Sequence, residues 1–281
     1  MKMFFCASVA LVTIASSPPL VAQWPPYRTA GAPQAPDGRV NLTAPTPRTP
    51  DGKPDLSGIW DYLQPTARVF VGIGGAGGTP LPDGTIPNIL RQFWDIGFGM
   101  QEPLPFTPWG AELRGKRMAD NQKDNPDAHC LPLGFMQLHT HPEPRKIVQT
   151  PGLILIMWEA NYGLRQIFLD GRPLPKNDPQ PWWYGYSAGR WDGDTLVVQT
   201  TGLRDDGWLD VVGSPFTDAA KVTERFHRVN YGNLDIDVTV DDPKAYTKPW
   251  TVTIKQHLRP DAELIEFICL ENEKSSAHFP K

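Results

Sequence analysis

Arg165, Arg225, His227 and Gln256 are the residues whose placement most invites chemistry, because each falls on an apolar strand face. Residues directly opposite one another in a hairpin share a face. With Glu159 opposite Leu164, Trp158 faces Arg165 and Ile156 faces Ile167, so that face is apolar except for the arginine. Leu234, Ile236, Val238 and Val240 alternate with Asp235, Asp237 and Thr239. Either two-residue turn, Tyr231-Gly232 or Gly232-Asn233, then puts Val229, His227 and Arg225 on the apolar side, with Glu224, Phe226 and Arg228 on the other. In the last expected hairpin Trp250, Val252, Ile254, Gln256 and Leu258 share a face with Ile265, Phe267 and Cys269. A buried arginine costs several kcal/mol unless it is paired. Two readings follow. The arginines are paired near barrel ends with carboxylates such as Glu159 or Asp170, or they line a ligand cavity. In the second reading His227 is a general acid or base, and Arg165 and Arg225 stabilise an oxyanion or hold a carboxylate or phenolate.

Other constellations are more ambiguous. His139, His141 and Glu143 would share one face of an extended strand and could form a metal triad. Pro142 and Pro144 disfavour a regular central strand, and a loop at the cavity mouth is the competing reading. The spacing is similar to the cupin metal motif, but Glu143 comes too early and no second motif follows. Pro181-Trp182-Trp183-Tyr184-Gly185-Tyr186 concentrates aromatic area, either as packing or as a stacking wall for an aromatic, terpenoid or sugar ligand. Trp158, Gln256, Trp182, Trp183, Tyr184, Tyr186, His139 and His141 are the expected ligand-lining set. Asp170-Gly171-Arg172 reads as a turn with a local ion pair. The acidic stretch Asp205–Asp210 lacks the oxygen spacing of a calcium loop. Gly72–Gly78 reads as a loop, since no lysine or helix signal follows to make it a phosphate cradle. There is no nucleophile elbow, Walker motif, dinucleotide fingerprint or paired-cysteine zinc pattern, and no cofactor is expected.

The elements that must position these residues are strands. Proline supplies 31 of 281 residues, about twice the usual ~5%, which excludes a mainly helical protein. A hydrophobic content of 40% excludes wholesale disorder, and a formal charge of −4 argues against a nucleic-acid partner. Residues 1–22 read as a secretory signal: Lys2, an apolar run from Met3 to Ile14, then small residues up to Ala22. That run is too short to span a bilayer, and no membrane span is expected elsewhere. Cys6 leaves with the signal, so Cys130 and Cys269 read as one disulfide of an exported, periplasmic or secreted protein, worth ~4 kcal/mol by loop entropy. Residues 23–54 form a proline-rich extended lead-in, and 55–281 a single domain.

Thr107-Pro108 starts a helix that runs to about Met118. About ten strands follow from alternation and turn signals: Leu56–Tyr62, Lys146–Thr150, Leu153–Glu159, Leu164–Leu169, Tyr186–Trp191, Asp194–Thr200, Lys221–Val229, Leu234–Val240, Trp250–Leu258 and Glu263–Leu270. Asp192-Gly193 is the strongest hairpin signal among them. A single antiparallel sheet of this size closes on itself to bury one face. The expected fold is therefore mainly β: a calycin- or lipocalin-like antiparallel barrel, with a two-sheet sandwich as the alternative.

Several segments together carry a resemblance. They are Pro54-Asp55-Leu56-Ser57-Gly58-Ile59-Trp60, Cys130-Leu131-Pro132, Phe168-Leu169-Asp170-Gly171-Arg172, Gly189–Val198 and Thr223-Glu224-Arg225-Phe226. With them the chain resembles, over about residues 54–272, a large and mostly uncharacterised family of exported bacterial β-rich proteins. The resemblance implies an exported β domain and no catalytic residues. The sequence thus predicts an exported barrel doing cofactor-independent acid/base chemistry, of lyase, isomerase or hydrolase type, on a small and partly apolar molecule. A non-catalytic carrier of a lipophilic molecule and an envelope structural protein are the alternatives.

Overall fold

Nine strands carry the alternation expected of them and close into one barrel. The structure, a computed structural model, describes residues 29–62, 91–176 and 181–269. The strands are β1 (Gly58–Asp61), β2 (Arg145–Gln149), β3 (Leu153–Trp158), β4 (Leu164–Phe168), β5 (Tyr186–Asp192), β6 (Thr195–Thr201), β7 (Lys221–Asn230), β8 (Asn233–Asp241) and β9 (Trp250–Leu258), hydrogen-bonded in that order around a closed ring. Three short α-helices, α1 (Arg91–Trp94), α2 (Pro108–Ala119) and α3 (Phe135–Thr140), and two 3-10 turns, Pro126–His129 and Ala160–Tyr162, complete the regular structure of the described residues. The fold is mainly β and lipocalin-like in its single closed barrel. The expected signal segment and the Gly72–Gly78 loop lie outside the described residues.

The ring departs from an all-antiparallel meander at one place. β4 and β5 run parallel and pair only through Ile167–Ser187 and Phe168–Ala188. Parallel neighbours cannot be joined by a tight turn, so a crossover from Leu169 to Gly185 must leave the sheet and return. Closure comes from β1, whose Trp60 and Asp61 pair with Leu258 and His257 of β9. The expected tenth strand, Glu263–Leu270, therefore finds that side of β9 taken: residues 262–268 form no strand, and Ile265 and Phe267 point outward rather than into the core.

Registers decide what faces inward. β3 and β4 pair Ile156 with Arg165 and Ile154 with Ile167, two residues away from the expected register, which leaves every face unchanged. Arg165 and Trp158 are accordingly buried, as is Gln256 on β9. β7 is different. The turn is Tyr231-Gly232, one of the two the sequence allows, since Asn230 pairs with Asn233, but a bulge at Val229 makes Arg228 the partner of Leu234. One inserted residue flips a strand's faces. Val222, Glu224, Phe226 and Arg228 point inward, while Arg225, His227 and Val229 point out. The expectation that His227 and Arg225 face the interior is thereby corrected.

The barrel is filled by its own chain. All six residues of α3 are buried. Its side chains and carbonyls meet Arg145 of β2, Trp158 of β3, Arg165 of β4, Phe226 of β7 and Gln256 of β9. A helix touched from five strands of one ring lies within it. α2 packs outside, begun as expected by Thr107, whose hydroxyl accepts from the Gly110 amide at 3.1 Å, with Pro108 at the first helical position. The lead-in reaches the β7–β8 turn, where Gly232 and Tyr231 amides donate to the Leu42 and Ala44 carbonyls at 2.8 Å.

Cys130 and Cys269 are joined, linking the segment just before α3 to the end of the described chain across 139 residues. Replacing both by serine removes a loop closure worth ~4 kcal/mol in the chain-entropy model. Urea unfolding is expected to show that loss with the barrel's far-ultraviolet spectrum retained; a loss below about 1 kcal/mol would show that the link constrains little.

Candidate functional site

Arg165 and Glu224 make the central contact of the interior. The guanidinium donates to both carboxylate oxygens, through Nη1 to Oε1 at 3.0 Å and through Nη2 to Oε2. Its remaining donors go to Ser187 Oγ at 3.0 Å and Thr200 Oγ1 at 2.9 Å, and its face lies 4.0 Å above the Phe135 ring of α3. His139, on the last turn of α3, completes a triad with Nε2 2.8 Å from Glu224 Oε1. Burial holds this imidazole below its usual pKa against the pull of Glu224, with Arg165 and Arg145 adding to the lowering. The neutral ring therefore donates its Nε2 proton to the carboxylate. Burial acts to raise Glu224, but the Arg165 charge and the hydrogen bonds from His139 and Arg165 outweigh it and hold the acid at about 2. A bidentate, fully partnered pair of this kind is the geometry in which burial of charge is tolerated.

The same triad removes these residues from solution chemistry. Arg165, Glu224 and His139 are all essentially inaccessible. Trp158 edges onto His139, and Gln256 and Arg145 both donate to the His139 carbonyl, at 2.8 Å and 2.6 Å. Arg145 and Glu224 escape a reading by sequence alone. Arg145 sits one residue before the expected start of β2, and Glu224 is placed outside by the turn-based register. The apolar spacing of Val222 and Phe226 was the signal that could have placed Glu224 inside.

His139 and His141 do not meet Glu143 as a metal triad, nor do they lie in a loop at a cavity mouth. On a helix end, rather than a strand, residues two apart diverge. His139 enters the barrel, whereas His141 turns to Asp127 and Glu143. His141 Nδ1 lies 2.5 Å from Glu143 Oε2, close but off the N–H axis, so the contact is ionic rather than a linear hydrogen bond. Among the described residues no three His, Cys, Asp or Glu side chains converge as metal ligands. Burial works against the charged ring, but Asp127 and Glu143 overcome it and raise His141 to about 9.

The aromatic run, by contrast, lines an opening in the barrel wall. Trp182, Trp183, Tyr184 and Tyr186 join Leu164, Arg165 and Phe168 around a cleft of about 310 Å³. The cleft exists because β4 and β5 pair only at one end. Residues Leu164–Gln166 have no ladder partner on that side among the described residues, and the Trp182–Tyr184 loop stands off from them. The Trp182 amide donates to the Gly202 carbonyl at 2.8 Å, and Gly185 turns the chain into β5 at φ +65. A Cβ at Gly185 would lie 2.5 Å from Thr200 Cγ2, so only glycine makes this turn. Tyr184 stacks on Trp158 at 5.8 Å and Tyr186 on Phe168 at 5.3 Å. Two arginines cap the outer rings: Arg172 lies 3.8 Å over Phe168 and Arg204 4.4 Å over Trp183. Each is paired with its own carboxylate, Asp170 or Asp206, so the rim is close to neutral. Burial raises the Tyr184 phenol to about 12, leaving it protonated.

His227 and Arg225 lie elsewhere, in a charged depression on the outer surface with Asp235, Asp237 and Lys255. Arg225 pairs with Asp192 at 3.3 Å. No described contact brings them to the triad or to the aromatic cleft. Fold and site together define a closed barrel with a helix-filled lumen and an aromatic cleft in its wall. Comparison of the chain with protein-family models, curated proteins and solved structures gives no match.

The raised His141 has a consequence for stability. Its charged form is favoured by folding, so the contribution is complete below the unfolded value near 6.5 and is lost as pH rises through about 9. Denaturant unfolding should lose on the order of 3 kcal/mol between pH 6.5 and 9.5, and His141→Gln should flatten that decline. A wild-type decline equal to the variant's would remove the ion cluster from the stability of the fold.

Proposed function

We propose that this chain is an exported, non-catalytic binding protein for a small, flat, largely apolar molecule held in the aromatic cleft. The observation that carries the proposal is the convergence of Phe168, Trp182, Trp183, Tyr184 and Tyr186 on one open cleft of about 310 Å³. Ligand sites are concave, mostly apolar and furnished with a few fixed polar groups, and about 300 Å³ is the lower end of their usual volume. Leu164 and Trp182 remain exposed there, apolar area that a ligand would cover. The near-neutral rim favours an uncharged ligand, and stacking favours a ring.

Turnover is the less favoured reading on two grounds. The ionisable groups lining the cleft are Arg165, Tyr184 and Tyr186. Arg165 is spent on Glu224 and Tyr184 stays protonated, which leaves no acid/base pair facing the cleft. His227, the proposed general acid or base of the lumen reading, stands on the outer surface. Export is supported by the leader pattern and by the disulfide, which persists in oxidising compartments.

Titration with N-phenyl-1-naphthylamine, followed by probe and tryptophan fluorescence, is the direct test. Saturable binding at one site is expected, weakened tenfold or more by Trp182→Ala and Tyr186→Ala and unchanged by His227→Ala. Undiminished binding in the cleft variants, or no saturable binding at all, would overturn the proposal.

A further inference from the structure

A second cavity, of about 460 Å³, lies where the lead-in, β1, the β7–β8 turn and residues 258–263 meet. Its wall includes Arg228, Lys146 and Arg259 as cations and Asp55 and Glu263 as carboxylates. The unusual member is Arg228, only 4% exposed. Its guanidinium donates to three main-chain carbonyls, of Asp55, Asn230 and Tyr231, and rests over the rings of Trp60 and Tyr231. No carboxylate of the described residues lies within 4 Å of it, unlike Arg165 with Glu224. Burial lowers its pKa to about 10, against the opposing pull of Asp55 and Tyr231, which leaves it charged at neutral pH.

A desolvated cation held by carbonyl dipoles and ring faces, with no carboxylate in contact, is costly, by several kcal/mol before compensation. Three of its five N–H donors are used by those carbonyls, and two remain. Of the carboxylates on the wall, Asp55 Oδ1 accepts from the Ser57 amide at 2.8 Å, and Glu263 pairs across the wall with Lys146, Oε1 to Nζ 2.5 Å. Arg259 is held only loosely, 3.5 Å from Asp61. The cations on the wall outnumber the carboxylates, and the most deeply buried of them has no carboxylate in contact with it.

We propose that this cavity binds a small oxyanion, a phosphate- or carboxylate-bearing molecule, with Arg228 as the positive floor and Lys146 and Arg259 as the side walls. The site gives a role to the segment Pro54–Trp60, which the aromatic cleft leaves unexplained. Asp55 supplies a carbonyl that orients Arg228, and Trp60 supplies the ring beneath it. Gly58, at φ +141, allows β1 to pass where a Cβ would meet Leu258 Cδ1 at 2.6 Å. Charge-assisted contacts from arginine and lysine are the ordinary means of holding such groups.

Calorimetric titration of the intact protein with inorganic phosphate and, separately, with succinate, at ionic strength held constant with chloride, tests the proposal. At least one of the two should bind saturably at one site, and the arm that does so identifies the class. Lys146→Met and Arg259→Gln, both at half-exposed positions that should fold normally, are expected to weaken that binding about tenfold each. Arg172→Gln, at the rim of the aromatic cleft, should leave it unchanged, which separates this site from the other. Absence of saturable heat with both anions, or equal affinity in the Lys146 and Arg259 variants, would overturn it.

Discussion

The ion pair between Arg165 and Glu224 sets the terms for the rest of the barrel. Two charges removed from water are tolerated only when their geometry and their remaining hydrogen bonds are complete. Here the guanidinium uses both oxygens of Glu224 and the hydroxyls of Ser187 and Thr200, and the carboxylate also takes the proton of His139. Strands β4, β5, β6 and β7 and the helix α3 are thus tied to one point. The pair also specifies register. If β7 slipped by one residue, Glu224 would leave and Arg225 would enter beside Arg165, two guanidiniums with no carboxylate between them. The bulge at Val229 lets the hairpin keep its Tyr231-Gly232 turn and still deliver Glu224 inward.

A filled lumen moves recognition to the wall. A barrel of about this size has room for side chains or for one small ligand, and α3 takes that room. The barrel then offers outsiders only its seams. The β4–β5 seam opens because parallel pairing by two residues leaves Leu164–Gln166 without a ladder partner on that side, and the aromatic side chains of Trp182–Tyr186 stand beside the gap. The cavity floored by Arg228 arises from a different cause, the convergence of the lead-in and the end of β9 on the β7–β8 turn. One is apolar with a neutral rim and the other is cationic, so the two select for unlike ligands.

Much of the fold is legible in the sequence because alternation and turn chemistry are local. Nine strands, the Thr107 cap and the inward positions of Trp158, Arg165 and Gln256 all follow from neighbours within about ten residues, whereas the Asp192-Gly193 turn falls one residue later, on Gly193-Asp194, because Asp192 pairs with Thr195. What was not legible depends on partners distant in sequence. Glu263–Leu270 alternates like a strand, but whether it pairs is decided by β1 reaching β9 first. The segment of His139 and His141 reads as a loop or strand by composition, and it becomes a helix because the lumen supplies Glu224, Arg145 and Gln256 to its polar groups. The outward turn of His227 rests on a single bulged residue. The aromatic run was easier to place as a cluster, since rings adjacent in sequence stay adjacent where the chain enters β5.

The central claim is that the charge pair, and not apolar packing alone, organises the interior. A double-mutant cycle on Arg165→Met and Glu224→Leu, read by urea unfolding, measures it most directly. Each single substitution should cost about 3–5 kcal/mol by stranding the other charge, and the double variant should cost far less than their sum, a coupling of about 3 kcal/mol. Additive losses would contradict the account, because they would show that the two residues are held in place independently of each other.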